Sequence, residues 1–397
     1  MNDRPLKVCL ISSSYLPNEG GAEIGLHNIA LNLIKKNHNP IVVTSFTHKY
    51  NLSKKRIILP YKVIGLPPKF FHSIEMFTSF SFFSNFIYNI LQKRFNFDFW
   101  HATFGFPTGI SVIRFCNKYK IPYSVRCVGE DIQLEKSIDY GMRKKNKIDK
   151  SIKKWLPKAD CLIATTSTVE SEYKKLGVSP RKIIKIPNGI DLDRIKMIKK
   201  LNSKKLKKKK IIFLALGRYH PKKNFENLLE ASILLKKNID TNFEVRIVGN
   251  GVKILLNKLL PEYQKFIRIF DTSNTKKTLN FPSDQIYKYY NNSDIFVMPS
   301  IIESFGIVTL EAMSFGLPVI AANSPGTKDL TENGKFALTY NGKASQLSKL
   351  MQKMLTNKYL REKYSKLSLK KSKSFDWRLI TDKYIQLYKK RSNFLSK

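Results

Sequence analysis

The chain has 397 residues, a length that accommodates two ordinary domains, each with its own buried core. With 42% hydrophobic and 12% aromatic residues it falls outside the disordered class, and 71 Lys and Arg against 30 Asp and Glu give a net charge of +41, which favours anionic partners: nucleic acid, acidic lipid or phosphorylated substrates. Lys far exceeds Arg and comes with abundant Asn and Ile, as a biased codon composition also produces, so the charge selects no function by itself.

Along the chain, the opening "MNDRPLKVCLISSSYLP" holds a short apolar run that breaks at Ser12 to Ser14, which predicts a buried first strand rather than a secretory leader. No run approaches the roughly 18 apolar residues of a membrane span. "KVCLISSSYL", "PIVVTSF", "FDFWHATFG", "PYSVRCVG" and "DCLIATTS" read as strands, with "AEIGLHNIALNLIKKN" and "PTGISVIRFCNKYK" as helices between them. After a lysine-rich stretch, "IIFLALG", "FEVRIVGNG", "DIFVMPS" and "LPVIAAN" repeat the pattern around helices such as "NLLEASILLKKN". This alternation predicts an α/β protein of two doubly wound parallel sheets. The expected division is a first domain over 1–190, a linker over 191–210 that includes the run Lys204 to Lys210, a second domain over 211–375, and a terminal helix over 376–397. Cys9, Cys116, Cys127 and Cys161 are scattered without a CxxC pair, so neither a zinc site nor a disulfide framework is expected, and a reducing cytoplasm is the natural compartment.

Ligands of open α/β sheets sit beyond the carboxyl ends of the strands, so chemistry is sought in the segments that follow them. Behind the first strand, Gly20 and Gly21 allow a tight turn that can approach a phosphate at the start of the next helix. In "LALGRYHPKKNFENLLEA", Arg218 and Lys223 flank a turn before a helix, a planar fork and a point charge suited to a diphosphate. The most specific stretch is "SIIESFGIVTLEAMSFGLPVIAANSPG". Here a strand ends at Pro299 and Ser300, a helix is expected from about Gly306, and Gly316 with Pro318 stops it. Amides around Phe305, Gly306, Ile307 and Val308 would form an anion site, Glu311 would accept hydrogen bonds from a ribose diol, and Glu303 would face whatever the phosphate carries.

These segments resemble the retaining nucleotide-sugar glycosyltransferases of family four, the group 1 glycosyltransferases, over nearly the whole chain. The resemblance rests on "LPNEGGAEIGLHNIALNL", "DFWHATFGFPTG", "IPNGIDLDRI", "LGRYHPKKNFENLLEA" and "PSIIESFGIVTLEAMSFGLPVIAANSPGTKDL". It implies the GT-B fold: two facing Rossmann-like domains with a cleft between them, and a C-terminal helix that crosses back to the first. It also implies a nucleotide-sugar donor whose diphosphate is held by Arg218, Lys223 and the amides near Gly306, whose ribose is held by Glu311 and whose sugar meets Glu303. The first domain would bind a sugar or lipid-linked sugar acceptor. No cofactor or metal is expected, and the implied product is surface polysaccharide or glycolipid. Where the family often has His or Arg before a glycine, this chain has Val128, so sugar or acceptor contacts are expected from Arg126, Glu130 or Asp131. His101, at the end of an apolar strand, is either an acceptor contact or a structural histidine.

"DLD" at Asp191 to Asp193 looks like a metal motif of another transferase fold but reads better as a helix cap. Two further functional readings stay open. One is nucleic-acid binding, favoured by the charge but by no recognition motif; the other is the same transfer chemistry on a polyanionic acceptor. Finally, "PPKFFHSIEMFTSFSFFSNFIYNILQKRF" and "GMRKKNKIDKSIKKWLPK" combine aromatics with cations, which predicts a peripheral association with an anionic membrane surface, on the inner face of the cell membrane.

Overall fold

The computed structural model of the protein describes residues 4–67, 69–76, 81–201, 210–273 and 282–395. The chain divides into two units, Met1–Gly189 with Trp377–Lys397, and Ile190–Asp376.

In the N-terminal unit the apolar runs become parallel strands: β1 (Lys7–Ser12), β2 (Asn39–Ser45), β3 (Lys62–Leu66), β4 (Phe99–Thr103), β5 (Tyr123–Arg126), β6 (Leu162–Ala164) and β7 (Ile183–Lys185). They lie in the order β3-β2-β1-β4-β5-β6-β7. Val8, Cys9, Leu10 and Ile11 of β1 are all fully buried, because helices cover a parallel sheet on both faces and a central strand has no solvent side. The Trp377–Leu395 helix belongs to this unit, with the Tyr388 ring 4.4 Å from that of Phe99 and with Ile380 and Tyr384 fully buried.

The C-terminal unit holds β8 (Ile211–Leu216), β9 (Phe243–Gly249), β10 (Ile267–Asp271), β11 (Ile295–Met298), β12 (Val319–Ala322) and β13 (Leu338–Tyr340) in the order β10-β9-β8-β11-β12-β13, again parallel. The direction of winding reverses between β8 and β11, and the crevice of such a sheet opens at the carboxyl ends of those two strands.

The expected linker over 191–210 is corrected in part. Residues Leu192–Leu201 form a helix packed into the C-terminal unit, because Ile195 and Ile198, one turn apart, are buried there and Arg194 reaches inward over the Tyr287 ring, while Asp193, Lys196 and Lys200 face out. Lys210 pairs with Glu244. Positions Lys204 to Lys209 of the lysine run lie outside the described residues. Asp191 caps this helix, its carboxylate accepting from the Arg194 amide at 3.0 Å.

Candidate active site

Two loops of the C-terminal unit meet at the point where the sheet reverses. The one after β8 carries Gly217 to Lys223, and the one after β11 carries Pro299 to Gly306. They are stitched by the Ile301 amide, which donates to the Lys222 carbonyl at 2.8 Å. Beneath them the backbone is drawn in tightly: a Cβ on Gly249 would stand 1.8 Å from the Gly217 carbonyl oxygen, so only glycine lets β9 pass under the first loop. Gly326, at φ +84°, serves the second loop in the same way, since a Cβ there would stand 1.9 Å from the Glu303 carbonyl oxygen.

This construction joins two residues 80 positions apart. Lys223 Nζ donates to Glu303 Oε1 at 2.7 Å, and both side chains are about nine-tenths buried. Burial by itself raises the Glu303 pKa, but the ammonium groups of Lys223 and Lys222, with hydrogen bonds from Lys223 and Ser300, outweigh it and hold the carboxyl below its ordinary range. Glu303 is therefore ionised and held in place. Arg218, on the first loop, is exposed.

The helix after the second loop runs Ile307–Ser314, starting one residue beyond the expected position because Gly306, at φ +80°, is its cap. Its earliest intrahelical bonds run from Thr309 and Leu310 to the Gly306 carbonyl, so the amides of Ile307 and Val308 are those a helix start leaves over. The helix ends as predicted around Gly316. That amide donates to Met313 at 2.9 Å and the Leu317 amide donates to Ala312 at 3.0 Å, the paired bonds of a left-handed glycine stop.

Glu311, inside this helix, is almost fully buried and sits in a different field from Glu303. Its Oε2 accepts from the Tyr290 hydroxyl at 2.7 Å. Burial pushes its pKa up to about 7, against the opposing pull of that hydrogen bond and of Arg194. Tyr290 and Arg194 carry no motif and were not singled out in the sequence. Tyr290 sits on the inward face of the Asp284–Asn291 helix, one turn from the buried Tyr287, and Arg194 lies over the Tyr287 ring at 4.6 Å while donating to Asp284 Oδ1 at 2.5 Å. The apolar period of "QIYKYYNN" was the signal available for them.

The N-terminal unit places its expected contacts differently. Gly20 caps the Gly21–Lys35 helix with φ −88°, so no left-handed turn is made there. What favours glycine is Glu23 of the first turn, whose Oε2 would stand 2.3 Å from a Cβ at Gly20 and whose Oε1 accepts from Ser14 Oγ at 2.5 Å. The positive end of this helix thus already faces a carboxylate of its own chain.

His101, Arg126 and Asp131, expected as sugar or acceptor contacts, are all buried. His101 bonds Ser124 Oγ at 2.9 Å and lies edge-on to Tyr384, 5.5 Å between rings, and burial together with the nearby Arg126 drives its pKa down to about 3. His101 is therefore neutral, and Tyr384 and Tyr388 of the Trp377–Leu395 helix lie against its ring. Arg126 donates to Asn188, and Asp131 accepts from the amides of Gly105, Val128 and Gly129 at 2.5, 3.0 and 2.9 Å, shaping the loop after β5. Glu130 is the exposed member of the four.

Comparison with known proteins agrees with this geometry. Residues 197–371 match the family model described as Glycosyl transferases group 1, and residues 19–194 match that of Glycosyltransferase Family 4. An uncharacterised 41.2 kDa protein in the cps region of Klebsiella pneumoniae is 27% identical over 68% of this chain and 71% of its own length. The Escherichia coli UDP-Gal:alpha-D-GlcNAc-diphosphoundecaprenol alpha-1,3-galactosyltransferase is 35% identical over 40% of this chain and 41% of its own. With several other curated relatives the match also spans about half of their length or less. HepE of Anabaena, solved in complex with UDP, shares the fold with a TM-score of 0.71 at 17% identity, over 97% of this chain and 100% of its own. The two family matches together span most of the sequence, and the chain belongs to the group 1, family 4 glycosyltransferases with the GT-B fold.

Proposed function

We propose that the protein transfers a hexose from a nucleoside diphosphate sugar to a hydroxyl of a glycolipid or growing surface polysaccharide, with retention at the anomeric carbon, at the inner face of the cell membrane. The observation that carries the donor half is the Lys223–Glu303 pair at the mouth of the reversing sheet, next to the start of the Ile307–Ser314 helix. In this reading the donor diphosphate draws Lys223 toward itself, joins Arg218 and the amides of Ile307 and Val308, and leaves the ionised Glu303 to accept hydrogen bonds from the sugar hydroxyls. Glu311 takes the ribose diol.

In the transfer step the bond between the anomeric carbon and the diphosphate oxygen breaks while the acceptor oxygen bonds to the same face of that carbon. The acceptor proton passes to the departing diphosphate. Charge growing on that group is met by Arg218, Lys223 and helix amides already in place, so the chemistry asks for no divalent ion. The nucleic-acid reading gives Glu303 and Glu311 no role, whereas a sugar nucleotide offers both of them hydroxyls. Calorimetry against uridine, guanosine and adenosine diphosphate sugars tests the proposal. Binding of one of them, lost on Lys223→Ala, is expected, and no binding of any at millimolar concentration overturns it. A relative whose printed name includes a UDP-Gal donor and a diphosphoundecaprenol acceptor supports the choice of donor and acceptor class.

A further inference from the structure

A strand covered on both faces is ordinarily apolar throughout, and one patch of the N-terminal sheet departs from this. In the register of β4 and β5, His101 stands opposite Ser124 and Thr103 opposite Arg126. Each pair of positions is two apart on its strand, so the four side chains share one face of the sheet. None of them is more than 1% exposed. The Trp377–Leu395 helix lies over this block with one stripe, Thr381, Tyr384 and Tyr388, all fully buried, and its two tyrosine rings stand 5.5 and 6.1 Å from that of His101. The Gly21–Lys35 helix closes in through Gly25, where a Cβ would stand 3.2 Å from Nη2 and 3.3 Å from Nη1 of the Arg126 guanidinium.

At the centre of this layer is a full positive charge. A guanidinium stays protonated inside a protein, and burying it without a counter-charge is costly. Among the described residues no carboxylate pairs with Arg126: Nη2 donates to Asn188 Oδ1, while Nε and Nη1 have no hydrogen-bond partner. The acids of the two covering helices, Glu23 and Asp382, are engaged with Ser14 and Lys36. Burial raises the pKa of both tyrosines, and although Arg126 pulls it back in part, neither supplies a counter-charge as tyrosinate. Thr103 Oγ1, Thr381 Oγ1, the Tyr388 hydroxyl and His101 Nε2 are likewise without partners among the described residues. With Ser124 Oγ donating to Nδ1, the neutral His101 ring carries its hydrogen on Nε2, so every one of these groups has a hydrogen to offer. We propose that Arg126, with Thr103, Thr381, Tyr388 and His101, binds one small monovalent anion of the chloride class, enclosed between the sheet and the Trp377–Leu395 helix, and that this ion helps to hold the helix on the sheet. Charge and size choose the occupant. One negative charge balances one guanidinium, whereas a sulfate or phosphate dianion would leave an excess charge buried in a closed site. Water would satisfy the hydrogen bonds and leave the charge unbalanced. The inference concerns the N-terminal unit alone and does not depend on the transfer reaction proposed above.

The test exchanges the anion around the full chain. Sodium gluconate is replaced stepwise by sodium chloride at a constant ionic strength of about 0.2 M, so that screening of the +41 net charge does not change. Amide hydrogen exchange is read by mass on peptides of the Trp377–Leu395 helix and, as an internal control, of the Ala344–Thr356 helix in the other unit. Protection of the first helix should rise with chloride and saturate, bromide should act in the same way, and the control helix should not respond. T103V/T381V keeps the guanidinium and removes two donors, and should raise the half-saturating chloride concentration about tenfold or more. R126M removes the charge and should abolish the response; where it fails to fold, the valine pair decides. Crystals grown in bromide should show an anomalous peak beside Arg126. Equal protection in gluconate and chloride, a response shared by both units, or half-saturation unmoved in the valine pair overturns the proposal. So does a bromide map with water alone beside Arg126, or sulfate protecting more than chloride, which is the order of general salt exclusion rather than of a site.

Discussion

Replacing Glu311 with Gln should stabilise the C-terminal unit at alkaline pH and weaken donor binding at the same time. Burial holds the Glu311 pKa at about 7 against an ordinary 4.5, and a gap of that size corresponds to about 3 kcal/mol. The sign follows from the direction. A carboxyl whose folded-state value is raised is at its most stabilising below about pH 4.5, where it is protonated in both states, and that contribution is lost as pH rises through about 7. At pH 8.5 wild type therefore bears nearly the whole cost of a buried charge. Gln keeps an oxygen for the Tyr290 hydroxyl but brings an amide NH2 into the same space, which offsets about 1 kcal/mol of the gain. The variant should then be about 2 kcal/mol more stable than wild type at pH 8.5, and the difference between the two should shrink by about 2–3 kcal/mol on going to pH 5.

Tryptophan fluorescence would miss this, because Trp100, Trp155 and Trp377 all belong to the N-terminal unit. Amide hydrogen exchange read by mass on peptides of β8 and β11 reports the right unit. The same titration governs the ligand. If the ribose is bound by the carboxylate form, wild-type affinity should fall about tenfold per pH unit below 7, while E311Q binds about 1–3 kcal/mol more weakly with a flat profile. A stability difference that does not change with pH, or an E311Q profile that still bends near 7, would refute the reasoning.

The Lys223–Glu303 pair should behave as a unit. Lys223→Ala leaves a buried charge without its partner and is expected to cost about 3–5 kcal/mol by hydrogen exchange, with much of that recovered, but no turnover, in the K223M/E303L double variant. Glu303→Gln should keep donor affinity within a few fold and lower kcat by about a hundredfold, measured as release of the nucleoside diphosphate. Turnover should be unaffected by EDTA, and loss that magnesium or manganese restores would reverse the proposed source of charge stabilisation. Anomeric proton couplings of the product should match those of the donor, and an inverted linkage would rule out the same-face transfer.

Much of this fold is legible because a strand covered on both faces has to be apolar throughout. "KVCLIS" and "IIFLAL" announce themselves against any background, even one rich in lysine. The edges are not announced. β7 and β13 have three residues each and are only partly buried, so "IIK" and "LTY" lack both the length and the apolar character of a central strand. The helix Leu192–Leu201 was legible at its cap, Asp191, but not in its packing: its buried face is Ile195 and Ile198, and the lysines around them dominate the composition that suggested a linker. The burial of His101 and Arg126 was not legible, because a polar residue on a strand leading to a loop ordinarily faces solvent or ligand. What covers them is a helix about 280 positions later, and no local pattern reports a contact of that range.

The two acids that mark the sequence most clearly also show where reading it stops. Glu303 and Glu311 are the same residue type, eight positions apart, on one loop and the helix it feeds, and both are almost fully buried. Yet one is held below the ordinary carboxyl range and the other is pushed up to about 7. Burial raises both. The difference is that the loop after β8, brought alongside by the order of strands, delivers Lys223 and Lys222 to Glu303, whereas the Asp284–Asn291 helix offers Glu311 a neutral hydroxyl and leaves Arg194 engaged with Asp284. A permanent anion suits a sugar whose hydroxyls must be oriented beside a diphosphate. A carboxyl poised to titrate can instead be drawn into its charged form by a ribose diol, so that the donor supplies part of the desolvation cost that folding left unmet. The spacing of the acids is written in the sequence; their opposite charge behaviour is written in the crossing of the sheet.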